Sequence, residues 1–306
     1  MGHRAVLPEQ TINNLVTVLD GIYIDCTAGG GGHLELLAQR LNAQARIYAL
    51  DKDAEVMAQT EKKLARPNIT FIHGDFRRVQ SLLSEQGVTA VDGIMLDLGV
   101  SSFQLDQAER GFSFHDDGPL DMRMDRSQGL NAADLLNTWS EDEISRILFL
   151  YGEERYAKSI ARGIVNYRQQ HKITTTLQLA HIIRRSVPAR YSREQHPARR
   201  SFQAIRIAVN EEMDALQEVL SQCEELLKPG GRLCVITFHS LEDRAVKHYM
   251  QEAARDCICP PSYPVCVCQH RARLKLISRK SIVADDEELA ANNRARSARL
   301  RVAEKL

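Results

Sequence analysis

Short apolar runs alternate with longer amphipathic stretches along roughly the first hundred residues, and this alternation limits the fold more than any other feature. Strands are expected at Ile22–Cys26, Arg46–Leu50, Ile69–His73 and Asp92–Leu98, and helices at Leu34–Leu41, Ala54–Leu64 and Val79–Glu85. This order is typical of βαβ units, whose strands pair in a parallel sheet. We therefore predict an α/β fold that binds its ligand at the carboxyl edge of the sheet.

The alternation stops near Phe103 and resumes with a long helix expected at Ala204–Leu227. The segment Lys228-Pro229-Gly230-Gly231 is expected to end that helix, before a strand at Arg232–Phe238. Helices without intervening strands are expected at Ser140–Phe149, Glu153–Gln169 and Thr176–Val187. We predict an α/β domain formed by residues 1–106 and 207–306, interrupted by an all-helical domain at residues 107–206.

The charge is balanced overall, with 40 Lys and Arg against 40 Asp and Glu, which excludes a uniformly basic coat protein. Residues 123–206 nevertheless hold 15 basic and 8 acidic side chains, a net charge of +7, which leaves −7 on the rest of the chain. Between residues 184 and 206 the only acidic residue is Glu194, whereas seven residues are arginine: Arg184, Arg185, Arg190, Arg193, Arg199, Arg200 and Arg206. Guanidinium groups bind phosphate through two nitrogens, so we favour a phosphate-contacting surface over a solvated face.

The first residues form no long apolar segment, and no apolar run has the length of a membrane span. Seven cysteines, an odd number, fit reduced thiols better than a disulfide framework. We expect a cytoplasmic protein without a membrane partner. Four cysteines are close in sequence, Cys257, Cys259, Cys266 and Cys268, but C-x-C pairs are tighter than the C-x2-C pairs of structural zinc sites. We predict a reduced, proline-stiffened loop and no metal; zinc is the alternative.

A glycine-rich segment, Gly29 to Gly32 followed by His33, comes directly after the first expected strand. It matches neither the G-x-G-x-x-G fingerprint nor a P-loop, and a tight turn without a ligand is the alternative. Asp51 lies at the end of the second strand, about 20 residues after the glycines. At this spacing a carboxylate can accept hydrogen bonds from both hydroxyls of a ribose. Asp75 follows the third strand and Asp97 ends the fourth. The pattern favours an S-adenosylmethionine (AdoMet)-dependent methyltransferase over a dehydrogenase.

Longer motifs carry a specific resemblance. They include Tyr23-Ile24-Asp25-x-Thr27-x-Gly29-x-Gly31-Gly32-His33, Asp97-Leu98-Gly99-Val100-Ser101-Ser102, Asp117-Gly118-Pro119-Leu120-Asp121-Met122-Arg123-Met124-Asp125 and Phe238-His239-Ser240-Leu241-Glu242-Asp243-Arg244. With these runs in order along nearly the whole chain, the sequence resembles the family of ribosomal RNA small subunit methyltransferase H. Members of that family methylate cytosine N4 in bacterial 16S rRNA.

The resemblance implies a Rossmann-like class I methyltransferase sheet with an inserted helical domain, and AdoMet as the methyl donor. Residue by residue, it places cofactor contacts at Gly31, Gly32, His33, Asp51, Phe76, Asp97 and Gln104. It implies a specific cytidine in the decoding region of 16S rRNA as substrate, within the small ribosomal subunit or its assembly intermediate. Ala28 and Phe103 differ from the residues common in the family at these positions. Both flank the expected cofactor loops, so the differences bear on the shape of the pocket and not on the identity of the cofactor.

Cytosine N4 is a poor nucleophile because its lone pair is delocalised into the ring, so the amine needs a hydrogen-bond acceptor as it reacts. Asp97 and nearby main-chain carbonyls are the expected acceptors, and Asp97 is the expected catalytic residue. A stacking aromatic is expected among Phe103, Phe112, Phe114 and Trp139, and His239 either faces the same cleft or is a buried structural residue.

The basic domain is expected to hold the RNA through Arg184, Arg185, Arg199 and Arg200. Two alternatives stay open at this point: an RNA-binding assembly protein that keeps a methyltransferase fold, and a methyltransferase acting on DNA or protein. A homodimer is also left open.

Overall fold

The structure is a computed structural model that describes residues 5–127, 129–191, 196–260 and 262–306. The chain divides into two compact units. We call Met1–Gly99 with Asp214–Leu306 the sheet unit, and Val100–Met213 the helical unit. The domain borders predicted at residues 107 and 206 fall inside the helical unit.

In the described part of the sheet unit, seven strands form one sheet in the order β3-β2-β1-β4-β5-β7-β6. The strands are β1 Ile22–Asp25, β2 Arg46–Asp51, β3 Ile69–His73, β4 Val91–Asp97, β5 Leu227–Thr237, β6 Leu274–Leu276 and β7 Arg299–Lys305. The pairs among β1 to β5 are parallel, and β7 runs antiparallel to both β5 and β6. The α/β fold predicted from the alternation is confirmed.

The helices follow the chain order. They are α1 Pro8–Leu15, α2 Gly32–Arg40, α3 Ala54–Leu64, α4 Val79–Glu85, α5 Ser102–Asp106, α6 Ala132–Thr138, α7 Glu141–Gly152, α8 Ala157–Arg168, α9 Thr176–Arg185, α10 Ala198–Asn210, α11 Glu212–Leu226, α12 Ser240–Ala253 and α13 Asp286–Ala291. No helix among the described residues combines the length and the apolar character needed to cross a bilayer.

The order of strands positions the ligand edge. β1 lies between β2 and β4, so the connections leave β1 on one side and return on the other. Open α/β sheets bind ligands at such a switch point, outside the carboxyl ends of the strands. Strands β2 and β4 are buried over most of their length, as strands with both faces covered must be.

The prediction of one continuous helix at Ala204–Leu227 is wrong. The structure ends α10 at Asn210 and begins α11 at Glu212, with Glu211 between them in the left-handed region at φ 49°. The Asn210 side chain donates to the Met122 carbonyl at 2.7 Å and accepts from the Met124 backbone N–H at 2.8 Å. This pairing fixes the end of α10 without the glycine or proline that usually marks a helix end.

Two further element boundaries differ from expectation. The segment Lys228-Pro229-Gly230-Gly231 lies inside β5, which begins at Leu227 directly after α11. The pairing of β4 with β5 changes register here, between Val91 and Gly93. The helix expected at Glu153–Gln169 begins only at Ala157, because Glu153 ends α7 in the left-handed region.

The helical unit has a core of its own. Apolar side chains from α6 to α10 pack together, among them Leu136, Ile144, Leu148, Ile160, Ile164, Ile183 and Ile205, each fully or almost fully buried. Capping side chains support the helix ends: Ser140 with Glu143 begins α7, and Thr175 with Gln178 begins α9. Described residues of this unit form helices and loops, with one isolated bridge between Pro119 and Thr175.

Candidate cofactor site and basic surface

Three carboxylates end three neighbouring strands of the sheet unit. Asp25 is the last residue of β1, Asp51 of β2 and Asp97 of β4. Because β2, β1 and β4 are adjacent and parallel, their last residues lie along one edge at the switch point. The glycine-rich segment connects β1 to α2 at the same edge.

Asp51 holds the glycine-rich segment in place. Its Oδ2 accepts the Gly29 backbone N–H at 2.8 Å, and its Oδ1 accepts the Asp53 N–H at 2.9 Å. Burial raises the pKa of Asp51 above its usual value, although the two N–H groups oppose this effect. A carboxylate has about four acceptor positions, so Asp51 keeps the capacity to accept two more hydrogen bonds.

Gly31 requires glycine for two independent reasons. Its φ is +78°, in the left-handed region, and a Cβ there would lie 2.5 Å from Leu64 Cδ1 and 2.9 Å from Thr60 Cγ2. The Thr60 hydroxyl donates to the Gly29 carbonyl. The loop therefore passes tightly over α3, whose side chains occupy the space that a side chain at Gly31 would need.

His33, in the first turn of α2, forms an ion pair with Asp97. Its Nδ1 lies 3.4 Å from Asp97 Oδ2 and its Nε2 lies 2.8 Å from the Val6 carbonyl. Burial lowers the pKa of His33, but the hydrogen bond and the charge of Asp97 outweigh burial, so the pKa is raised above 6.5. The site therefore favours an imidazolium beside the carboxylate.

Asp25 is a buried acid that the sequence patterns did not single out. Only 1% of it is exposed, and its Oδ1 accepts the Thr27 N–H at 3.0 Å. Burial raises the pKa of Asp25 to about 7, against the opposing effects of His33 and the Thr27 N–H. The Thr27 hydroxyl accepts the Asp97 backbone N–H at 2.6 Å, so Thr27 connects β1 to the end of β4.

Asp97 has one carboxylate oxygen to spare. Oδ2 faces His33, whereas Oδ1 is buried and has no hydrogen-bond partner among the described residues. A buried acceptor without a donor is costly, so this atom points to a ligand that donates. The spare acceptors on Asp51 and Asp97 lie at one edge of the sheet and fit groups that donate hydrogen bonds, such as ribose hydroxyls at Asp51.

The other sequence-derived residues occupy different places. Phe76 is half-buried after β3, at the start of a short 3-10 helix that Asp75 caps. Gln104 belongs to the helical unit, where its side chain accepts the Ser101 N–H at 3.0 Å as part of a capping box. His239 caps α12, and its Nε2 lies 3.0 Å from Glu242. These contacts agree with the alternative of a buried structural histidine.

The helical unit carries the four arginines expected to contact RNA. Arg184 and Arg185 are exposed in the last turn of α9, and Arg199 is exposed in the first turn of α10. No ion-pair partner is found for these three among the described residues. Arg200 donates to the Glu153 carbonyl at 3.0 Å, and Arg206 is bound by Glu212 through two 2.8 Å contacts. Arg193 and Glu194 lie outside the described residues.

An aromatic stack lies close enough to Arg184 for its ring to feel the charge of that side chain. The rings of Phe114 and His196 are stacked with centroids 4.4 Å apart, and Phe202 meets Phe114 edge-on at 5.5 Å. Burial, His115 and the positive charge of Arg184 lower the pKa of His196, which favours a neutral ring. Of the expected stacking residues, Phe112 is buried in the helical core, and Phe114 and Trp139 pack against it.

Comparisons with known proteins cover the whole chain. A family model described as the MraW methylase family matches residues 1–306. Three similar proteins are each named ribosomal RNA small subunit methyltransferase H. They come from Carboxydothermus hydrogenoformans (50% identity), Heliobacterium modesticaldum (49%) and Brevibacillus brevis (47%), and each alignment covers 99% of this chain and 98% of the relative.

Proposed function

Because the chain belongs to the MraW methylase family, we propose that it methylates the exocyclic N4 of a specific cytidine in the decoding region of 16S rRNA. It is an AdoMet-dependent rRNA methyltransferase of the small subunit, as its relatives are named. The resemblance and the Rossmann-like class I methyltransferase sheet expected from the sequence are confirmed. The N4 position, the cytidine and the residue roles below are our proposal.

The observation that carries the proposal is the pair formed by His33 and Asp97. The ion pair orients the carboxylate so that Oδ2 faces the imidazole, and Oδ1 is left buried without a donor among the described residues. An exocyclic amine donates two hydrogen bonds and accepts none well while its lone pair is delocalised. Asp97 Oδ1 at the end of β4 is therefore suited to receive a donor of this kind.

Residues of the sheet unit would hold AdoMet. Asp51 would accept from the ribose hydroxyls, and the backbone of Gly31 and Gly32 would approach the ligand closely. His33 would act by positioning Asp97, and Phe76 would lie against the adenine. When bound, AdoMet supplies an electrophilic methyl group on its sulfonium.

The reacting amine becomes positively charged as its nitrogen forms the new bond. Asp97 would accept a hydrogen bond from N4–H, which draws lone-pair density out of the ring and offsets the developing charge. The same oxygen can receive the proton that N4 must lose afterwards. His33 Nδ1 lies 3.4 Å from Asp97 Oδ2 and aligns the carboxylate, so the spare acceptor Oδ1 is in place before the substrate arrives.

The helical unit would hold the RNA. Arg184, Arg185, Arg199 and Arg200 would contact phosphates, which position the substrate without reading its sequence. The Phe114–His196 stack offers a flat face beside Arg184, where an unstacked base could lie. Pairing in a duplex buries N4, so the target cytidine would be unpaired or opened.

We place the reaction in the bacterial cytoplasm, on the small ribosomal subunit or its assembly intermediate. Ribosomal RNA that is already folded within the subunit would present the cytidine unpaired. Free 16S rRNA would do so less well, because it folds into competing duplexes. Nothing in the proposal requires a homodimer. An assembly protein without activity is disfavoured, because pure RNA binding would not need a carboxylate held by His33 with one oxygen left without a donor among the described residues.

The test is methylation by purified protein with labelled AdoMet. Small subunits from cells lacking the gene, naked 16S rRNA, DNA and total protein serve as parallel substrates, and the RNA is digested to nucleosides for mass spectrometry. We expect N4-methylcytidine from the small-subunit particles at one position. Label on C5 of cytosine, on another nucleoside, on DNA or on protein would contradict the proposal.

A further inference from the structure

The loop between α12 and β6 brings four cysteine sulfurs together. The loop begins after Ala253 and ends at Leu274, and its two ends are joined where the Arg273 N–H donates to the Ala253 carbonyl at 2.8 Å. The sulfurs of Cys257, Cys259, Cys266 and Cys268 all lie within 4.8 Å of one another. A long loop without regular structure in a compact unit usually serves a function of its own.

Two of the six distances between the sulfurs are close to those of a tetrahedron around one ion. A zinc ion bonded to four thiolates at about 2.3 Å keeps the sulfurs about 3.8 Å apart. The Sγ atoms of Cys266 and Cys268 are 3.5 Å apart, and those of Cys268 and Cys257 are 3.8 Å apart. An iron–sulfur cluster spreads its thiolates over several metal ions, so it needs wider spacing than this.

Backbone N–H groups point at three of the sulfurs. Cys268 accepts from the Ile258 N–H, Cys257 from the Cys259 N–H and Cys259 from the Val267 N–H, each at 3.4 Å. Such donors stabilise negative charge on sulfur, which thiols do not carry and metal-bound thiolates do. Each C-x-C segment thus turns its backbone toward the cluster, although short spacing argued against a site in the sequence.

We propose that Cys257, Cys259, Cys266 and Cys268 form a structural Zn²⁺ site that closes this loop. The four thiols give up their protons to solvent as they bind. All four positions around the metal are filled by sulfur, so no open position is left for a water or a substrate. The site stabilises the loop of the sheet unit, and the cofactor edge formed by Asp25, Asp51 and Asp97 does not need it.

The binding test uses the full chain, expressed with added zinc and purified without oxygen or chelators. Elemental analysis should find about one zinc per chain. The double variant Cys257→Ser/Cys268→Ser, which removes one sulfur from each C-x-C pair, should lose at least about nine-tenths of the metal. The matched control is Cys223→Ala, which removes a buried thiol outside the loop and should keep its zinc.

Two measurements on the unmodified chain keep the test valid even if the double variant fails to fold. Cobalt exchanged for zinc should give the intense visible bands of a tetrahedral thiolate site. After denaturation with a chelator and no reductant, all 7 cysteines should titrate as free thiols. Wild-type protein without stoichiometric metal, metal that survives in a folded double variant, or two missing thiols for each disulfide would overturn the proposal.

Discussion

The imidazole Nδ1 of His33 lies 3.4 Å from Asp97 Oδ2, while its Nε2 lies 2.8 Å from the Val6 carbonyl. A carbonyl can only accept, so Nε2 carries a proton, and the carboxylate favours a second proton on Nδ1. This contact places a histidine with a raised pKa at the start of α2 and orients the carboxylate at the end of β4. The reactivity proposed for Asp97 depends on it.

Replacing Asp97 with Asn should lower the pKa of His33. The wild-type pKa is raised above 6.5 because Asp97 outweighs burial, and burial alone would bring it below that value. The ion pair therefore stabilises the fold below pH 6.5, and this contribution is lost as the pH rises through the raised pKa. An NMR titration of the His33 ring tests this; Asp75→Asn should leave the titration unchanged. Identical titration in Asp97→Asn would refute the ion pair.

Replacing Asp51 should weaken AdoMet binding. Asp51→Asn keeps an acceptor oxygen for the Gly29 or Asp53 N–H but loses the charge, so affinity should fall roughly tenfold. Asp51→Ala should lose more, because the glycine-rich segment also loses its anchor. Calorimetry with AdoMet measures both, and Asp53→Asn, on a neighbouring carboxylate that caps α3, is the control. Unchanged affinity in Asp51→Ala would exclude a role in binding.

Replacing Asp25 with Asn should change how stability depends on pH. The pKa of Asp25 is about 7 in the folded state against 3.8 ordinarily, so the folded state binds the extra proton between these values. The free energy of unfolding therefore falls as the pH rises from about 4 to 7 and levels off above. An amide does not titrate in this range, so the stability of the Asp25→Asn variant relative to wild type should rise across this window. Urea unfolding at a series of pH values measures it, and a constant difference would contradict the assignment.

Charge reversal on the helical unit should weaken RNA binding without affecting AdoMet. Arg184→Glu with Arg199→Glu removes two exposed guanidinium groups, whereas Arg200 is partly engaged by the Glu153 carbonyl. Binding to small-subunit RNA should fall, and its dependence on salt should flatten by about 0.7 to 0.9 for each phosphate that is no longer neutralised. Arg40→Glu with Arg46→Glu, exposed on the sheet unit, changes the net charge equally. If both pairs of substitutions weakened RNA binding equally, Arg184 and Arg199 would be part of a solvated face and not of an RNA-binding surface.

The alternation of apolar runs was enough to predict the sheet, since buried parallel strands and amphipathic helices have different periods. Asp51 and Asp97 were recognisable because they end such strands. The break at Glu211 was not, because it depends on the Asn210 side chain reaching Met122 and Met124, and no glycine or proline marks it. Tertiary contacts of this kind leave no local pattern.

The contact between His33 and Asp97 was equally hidden. Both residues were expected at the cofactor, but only the fold brings the start of α2 to the end of β4 and the Val6 carbonyl to the second ring nitrogen. For the cysteine loop, the four residues were visible in the sequence but the distances between their sulfurs were not. Its sequence spacing was judged by comparison with C-x2-C sites, whereas the distance between sulfurs depends on how two C-x-C segments face each other.

The most direct test of the account is the rate of methyl transfer in Asp97→Asn, measured in a single turnover with AdoMet and small subunits, beside the AdoMet affinity of the same protein. Asn keeps the size and one acceptor oxygen but cannot offset charge on N4. We predict that the transfer rate falls by about a hundredfold or more while AdoMet affinity changes by less than about tenfold. A transfer rate equal to wild type would contradict the account and leave Asp97 as a structural partner of His33.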